Sequence, residues 1–273
     1  MRVLIDGREV DPQQAAVSVF DWAVQRGDGC FEAVRAYQGR LFRLDAHLDR
    51  LERSAGLLEL SLPPRQRVAG WAEQAAAAGR DCAVRIIVTR GGVDPLVESP
   101  SRVIVLWEPL PDFPDAFRLL PVPAAWHPSG GEWDMMGVKS LSYAPNMGAQ
   151  RRAQREGYDD ALLVSSSGEV LELPTSSIGW FAEGALETPA LDLGILASIT
   201  RVVVLEEAGL LGIRVREGVY SLDRLGDAEE VFVMSTFKEV SPVVAVGDEV
   251  FEPGPLTGKL QEAFRSRVAA EVG

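Results

Sequence analysis

The sequence predicts a fold of mixed helices and strands divided into two lobes. Segments of period-two alternation such as Cys82–Thr89 occur alongside amphipathic helical segments such as Asp45–Ala55. From Pro109 through Pro128 the chain carries six prolines and reads as the connection between two lobes. At 273 residues the chain suits one large domain or two modest ones and can bury a substantial core. The expected division is a small lobe over 1–120, a connection over 121–134 and a larger lobe over 135–273.

Residues 1–10 alternate loosely and turn at Asp6-Gly7-Arg8, a hairpin signal, and Asp11-Pro12 opens another turn. Gly27-Asp28-Gly29 implies a tight bend that feeds a strand through Tyr37. Gln38-Gly39-Arg40 turns the chain, and Leu41–Leu44 continues it as a hairpin. Asp45 is the expected N-cap of a helix with Leu48, Leu51 and Ala55 on one face, and Arg50 lies at the edge of that stripe. A second helix covers 65–78 and ends at Gly79. In the strand Cys82–Thr89, Val84, Ile86 and Val88 share one face. Arg85 shares the other, as an open-face residue or an anion hook. Arg102–Trp107 supplies the next strand.

The Lys139 segment opens the second lobe, followed by a helix over Pro145–Glu156 with Gly157 as its C′ residue. Asp159–Val164 and Glu169–Leu173 read as strands joined by a Ser-Ser-Ser-Gly turn, and Ile178–Phe181 as another strand. Ser198 is the expected N-cap of a helix running to Ala208-Gly209. The first-turn amides of Ile199 and Thr200 then form a ready anion site, with the threonine hydroxyl adding a donor. Glu230–Met234 is a buried strand, and Ser235–Pro242 a polar loop at its end.

Composition limits the chemistry. Apolar residues at 47% and charged residues at 25% are ordinary for a soluble globular protein. A net charge of −13 argues against a nucleic-acid surface while leaving room for a local basic pocket for a small anion. Cys30 and Cys82 are the only cysteines, so neither a disulfide framework nor a CxxC metal site is expected. His47 and His127 are too few for a histidine-rich metal site or a serine-type triad. No apolar run has the length of a membrane span, and the N-terminus lacks the features of a signal peptide, so the expectation is a cytoplasmic protein.

One lysine, one carboxylate, one arginine and two Ser/Thr loops at element junctions are the parts that would hold a phosphate-bearing aldehyde. In these motifs and their order, from about Ile5 to Val243, the chain resembles the fold-type IV pyridoxal-phosphate enzymes, aminotransferase class IV. The resemblance implies an α+β architecture. Its small N-terminal lobe would hold an antiparallel sheet flanked by helices. The larger C-terminal lobe would be a mixed-sheet or barrel-like structure, with pyridoxal 5′-phosphate between the two.

The family's residues map as follows. Lys139 matches the lysine that forms the Schiff base and shuttles a proton. Glu172 matches the acid paired with the ring nitrogen. Arg50, in His47-Leu48-Asp49-Arg50-Leu51, matches the phosphate arginine. Ile199 and Thr200 match one phosphate loop, Thr236 matches the second, and Tyr143 matches a tyrosine on the cofactor phenolate. Three positions depart from the pattern: Ser142 and Ser177 stand where asparagine is usual, and Arg26-Gly27-Asp28-Gly29 stands where many members read Tyr-Gly-Asp-Gly. Arg26 and Arg85 are therefore candidate carboxylate hooks, against readings as a solvent-facing residue and a structural ion pair. Arg35 is the third substrate-side candidate.

The resemblance implies an aminotransferase that exchanges an amino group between an amino acid or amine and a 2-oxo acid. A 4-amino-4-deoxychorismate lyase releasing pyruvate and 4-aminobenzoate is the alternative, because both share the cofactor machinery and differ only in the substrate pocket. The family also implies a homodimer.

Overall fold

A computed structural model describes residues 2–92, 100–127 and 133–273. The chain forms two compact units. The first comprises Met1–Pro111, Val138–Tyr143 and Glu271–Gly273, and the second Asp112–Gly137 and Ala144–Ala270.

In the first unit, β1 (Arg2–Ile5) and β2 (Arg8–Val10) precede a short helix α1 (Trp22–Arg26). They are followed by β3 (Gly29–Tyr37), β4 (Arg40–Leu41), α2 (Leu44–Leu57), α3 (Arg65–Ala76), β5 (Cys82–Thr89) and β6 (Val103–Glu108). The strands form one sheet in the order β2-β1-β6-β5-β3-β4, every neighbouring pair antiparallel. Period two decides its faces. Val84, Ile86 and Val88 are fully buried in one core with Leu48, Leu51 and Ala55 of α2 and Ala72 and Ala75 of α3. Each such branched side chain contributes about 1.5–3 kcal/mol relative to exposure. Gly27, at φ 70°, ends α1, and a Cβ there would meet Ser142 Oγ at 2.7 Å.

The second unit contains β7 (Phe117–Pro123), α4 (Ala144–Arg155), β8 (Asp160–Val164), β9 (Ser177–Ala182), β10 (Ala185–Pro189) and α5 (Ile199–Leu210). It continues with β11 (Arg214–Gly218), β12 (Glu230–Ser235), β13 (Glu239–Val246), β14 (Glu249–Val250) and α6 (Pro255–Val272). The sheet runs β11-β10-β9-β12-β13-β7-β8, with β14 paired to β13. It is mixed: β10/β11, β13/β7 and β7/β8 are parallel and the other pairs antiparallel. Both faces are covered. Ala161 and Leu163 of β8 face a cluster with Ala149 and Ala153 of α4, while Leu162 faces Trp180, Val231 and Val233.

Several expectations change. The N-terminal run of the first unit stops at Pro111, and Phe117–Pro123, expected as late first lobe and connection, is an interior strand of the second sheet. Of the expected connection 121–134, residues 128–132 lie outside the described residues. Lys139 belongs to the first unit because its main chain pairs with β3, a long-range contact that periodicity does not reveal. Arg43, at φ 54°, ends the turn after β4 and takes the N-cap position of α2. Asp45 falls in the first turn instead, where a carboxylate still complements the helix dipole. Residues 169–173 pair with β8 only locally, through Leu163 N–H to Glu172 O (2.9 Å) and Leu171 N–H to Leu163 O (3.0 Å), before Pro174. The expected loop 235–242 is a tight turn from which β13 returns.

Candidate active site

In the first unit, the segment Val138–Tyr143 lies along the edge of β3 that carries β4 further on. Phe31 N–H donates to Lys139 O (3.0 Å), Leu141 N–H donates to Gly29 O (2.9 Å), and Ser140 bridges Cys30. This register sets Lys139 across from Phe31, on the sheet face opposite Glu32. The Lys139 ammonium is 4.5 Å from the centroid of Phe31 and 5.6 Å from that of Tyr143. The two rings meet edge to face at 5.3 Å. The lysine's backbone is held from α2 as well, its N–H donating to Ser54 Oγ at 3.2 Å.

On the other face of β3, Glu32 is fully buried. Arg50 of α2 grips it with a two-pronged contact, Nε to Oε1 at 2.6 Å and Nη2 to Oε2 at 2.8 Å, and His47 Nδ1 lies 2.8 Å from Oε2. Burial alone would raise the carboxyl of Glu32. The hydrogen bond and charge of Arg50, with the hydrogen bond of His47, outweigh that and hold it at about 2. Burial pushes His47 down, only partly offset by Glu32, so the imidazole is neutral and its Nδ1–H donates to the carboxylate. Burial and then the charge of Glu32 push the Cys30 thiol up to about 12, which makes it inert as a nucleophile.

The substrate-side arginines differ in setting. Arg26 ends α1, exposed, with its guanidinium over Trp22 at 4.7 Å. Arg85 pairs with Ala33 across β3 and so shares the face that carries Phe31; its Nε donates to Glu108 Oε2 at 2.5 Å. Arg35 lies on that same face, stacked over Tyr37 at 4.4 Å.

In the second unit, Glu172 Oε2 accepts from Leu196 N–H at 3.2 Å, and Oε1 is 3.8 Å from His127 Nε2. Ser198 caps α5, its Oγ accepting from Arg201 N–H (3.3 Å), and the first intrahelical donor is Val202 N–H to Ser198 O. The amides of Ile199 and Thr200 therefore precede the helix's own hydrogen-bond ladder. Arg201 pins this terminus to the end of β10 through Pro189 O (2.9 Å) and Thr188 Oγ1 (3.4 Å), and Thr188 in turn donates to Ile178 O at the start of β9. Beside Ile178 is Ser177, paired across the sheet with Met234, two residues before Thr236. The α5 terminus, Ser177 and the Thr236 turn thus gather at one end of the second sheet. Ser177 Oγ is buried there without a partner.

The second unit thus offers an anion-binding helix terminus, a hydroxyl with unmet capacity and a main-chain-held carboxylate. That donor set fits a phosphate-bearing ring with a basic nitrogen. The first unit offers an amine beside two contacting aromatic rings and a buried arginine. The sequence motifs assign no role to Glu32, His47 or Ser54. A charged residue inside the apolar strand Gly29–Tyr37, and His47 one helical turn before Arg50, are the signals that point to them.

The family model described as amino-transferase class IV matches residues 29–246. A provisionally named branched-chain-amino-acid aminotransferase of Methanocaldococcus jannaschii is 33% identical over 279 residues, covering 97% of this chain and 96% of its own. A D-alanine aminotransferase of Listeria monocytogenes is 31% identical over 293 residues, covering 100% of this chain and 98% of its own. Among solved structures, a hypothetical aminotransferase from Mycobacterium tuberculosis in its PLP-bound form superposes with a TM-score of 0.91 at 26% identity. That match covers 99% of this chain and 100% of the other.

Proposed function

The chain belongs to the amino-transferase class IV family, and from that premise we propose that Lys139 carries its amino exchange, with Glu172 facing the cofactor's ring nitrogen. The protein is a pyridoxal-phosphate-dependent aminotransferase acting on an amino donor and a 2-oxo acid. The named relatives are aminotransferases, and the aminodeoxychorismate lyase reading has no counterpart among them.

When bound, pyridoxal phosphate supplies an aldehyde and an electron-accepting ring. The rest is the work of this chain. Lys139 Nζ takes the Cα proton of the amino donor and later returns one, and its mounting on a strand edge limits how far it can wander. Glu172, fixed by the Leu196 amide, would keep a proton on the ring nitrogen. Arg50, Ile199, Thr200 and Thr236 would hold the phosphate, with Ser177 Oγ a further donor at the end of the second sheet that carries Thr200, and the Tyr143 hydroxyl would meet the phenolate oxygen. Arg85 and Arg35, on the sheet face of Phe31, receive the substrate carboxylate, with Arg26 as the third candidate. The observation that carries this reading is Lys139 Nζ held beside the contacting rings of Phe31 and Tyr143.

Incubating the purified protein with 2-oxoglutarate and, in turn, L-leucine, D-alanine and an (R)-amine tests it. Amino transfer from at least one donor, with a shift in the visible absorbance, is expected. Transfer from none of them would sink the reading.

Two finer points belong to the same proposal. The protein is a homodimer, with exposed Val19, Phe20 and Val24 as apolar surface for a second copy to cover; light scattering of the purified protein tests this. It works in the cytoplasm. Among the described residues no helix is long and apolar enough to cross a membrane.

A further inference from the structure

We propose that Glu32 is a positioning residue for the cofactor's phosphate, acting through Arg50. The inference rests on the reading that Arg50 meets that phosphate, and it adds a residue that touches neither cofactor nor substrate.

An arginine that binds an anion from within a helix–sheet layer faces two obstacles. Its cation is buried before the anion arrives, and its long side chain has about 2 kcal/mol of rotamer freedom to lose. The side chain of Arg50 is only 6% exposed. Glu32 meets both obstacles. It supplies the opposite charge inside the layer, and its two contacts fix the plane of the guanidinium. His47 in turn prevents the carboxylate from swinging, since Oε2 is shared between its ring at 2.8 Å and Arg50 Nη2 at 2.8 Å. The three residues come from two elements that already pack together, β3 and α2.

The same helix also reaches the lysine. Ser54 lies one turn beyond Arg50 and accepts the Lys139 N–H. A single face of α2, carrying His47, Arg50 and Ser54, thereby sets the arginine and the main chain of Lys139 against one strand. Glu32 is the point at which that face is keyed to β3.

The test separates phosphate recognition from general stability. The full chain and its Glu32→Gln variant, both freed of cofactor, are titrated with pyridoxal phosphate and with pyridoxal, which lacks the phosphate. Loss of a charge-assisted contact should loosen pyridoxal phosphate about 10- to 100-fold and leave pyridoxal within about 2-fold. Equal loosening of both ligands would assign Glu32 a purely structural role. Unchanged or tighter pyridoxal phosphate would equally overturn the proposal.

Arg50→Ala, measured in parallel, tests the premise. If it leaves pyridoxal phosphate affinity intact, the reading of Arg50 fails. If it loosens the cofactor while Glu32→Gln does not, only the positioning role fails. Should Glu32→Gln not fold, His47→Gln removes one anchor of the same carboxylate. It is expected to give a smaller loosening with the same selectivity for the phosphate-bearing ligand, and its absence would count against the proposal.

Discussion

Lys139 Nζ stands 4.5 Å from the ring of Phe31, and the main chains of the two residues are joined by Phe31 N–H to Lys139 O at 3.0 Å. The lysine amine is thus mounted on a strand edge, with an aromatic ring beside it. Lys139→Ala removes the amine and leaves the Phe31–Tyr143 contact. Turnover should fall by several orders of magnitude, while the thermal midpoint of the protein changes little. Borohydride treatment followed by mass spectrometry should fix the cofactor to the parent protein and not to the variant.

Glu172 is held by the Leu196 amide, which an amide side chain can also satisfy through its carbonyl oxygen. Glu172→Gln should therefore fold normally but lose the charge proposed to keep the ring nitrogen protonated. A fall in kcat of about 10²- to 10⁴-fold is expected, with a changed visible spectrum of the bound cofactor. Unaltered kcat would remove Glu172 from the mechanism.

Glu32 is held at about 2, below its ordinary 4.5, so it contributes stability that is present above 4.5 and lost as pH falls toward 2. The shift corresponds to a stabilisation on the order of 3 kcal/mol at neutral pH. His47 acts in the same direction from its ordinary value of 6.5 downward, because the unfolded chain takes up a proton that the buried ring resists. Urea midpoints should decline from near pH 6.5 and more steeply below 4.5. Glu32→Gln should flatten the lower part of that decline.

Lys238 Nζ is buried with Asp160 Oδ2 at 2.7 Å and Ser176 Oγ at 2.9 Å, tying the turn that bears Thr236 to β8. Lys238→Met leaves a buried carboxylate without its cation and should cost about 3–5 kcal/mol in denaturant unfolding. Adding Asp160→Asn should recover a large part of that loss. A strictly additive double variant would show that the two side chains are not coupled.

Arg85 shares its sheet face with Phe31, whereas Arg26 is exposed over Trp22. Arg85→Gln should raise KM for the carboxylate-bearing donor by about 10-fold or more and spare kcat. Arg26→Gln should have the smaller effect. A rise in KM with Arg26→Gln alone would transfer the carboxylate to that residue.

Much of this was legible in the sequence, for local reasons. Alternation in Cys82–Thr89 placed Val84, Ile86 and Val88 on the buried face, Ser198 capped its helix, and Gly157 marked the end of α4 at φ 84°. Each depends on residues within a turn or a pleat of one another. The motif order also singles out Lys139, Glu172, Ile199 and Thr200 as candidate site residues, with roles that remain a proposal. Periodicity predicts neither the helices α1 and α6 nor the strands β10, β11, β13 and β14. Short strands owe their existence to partners, and Ala185–Pro189 is a strand because β9 and β11 flank it.

Tertiary structure alone decided the rest. The Lys139 segment joins the first unit through hydrogen bonds of Lys139 to Phe31 and of Leu141 to Gly29, more than a hundred residues earlier in the chain. Glu32 becomes the partner of Arg50 and His47 only when β3 and α2 pack face to face. Periodicity records which side of an element meets a core. It does not record which buried charges will find one another there, because that pairing depends on how distant segments are brought together.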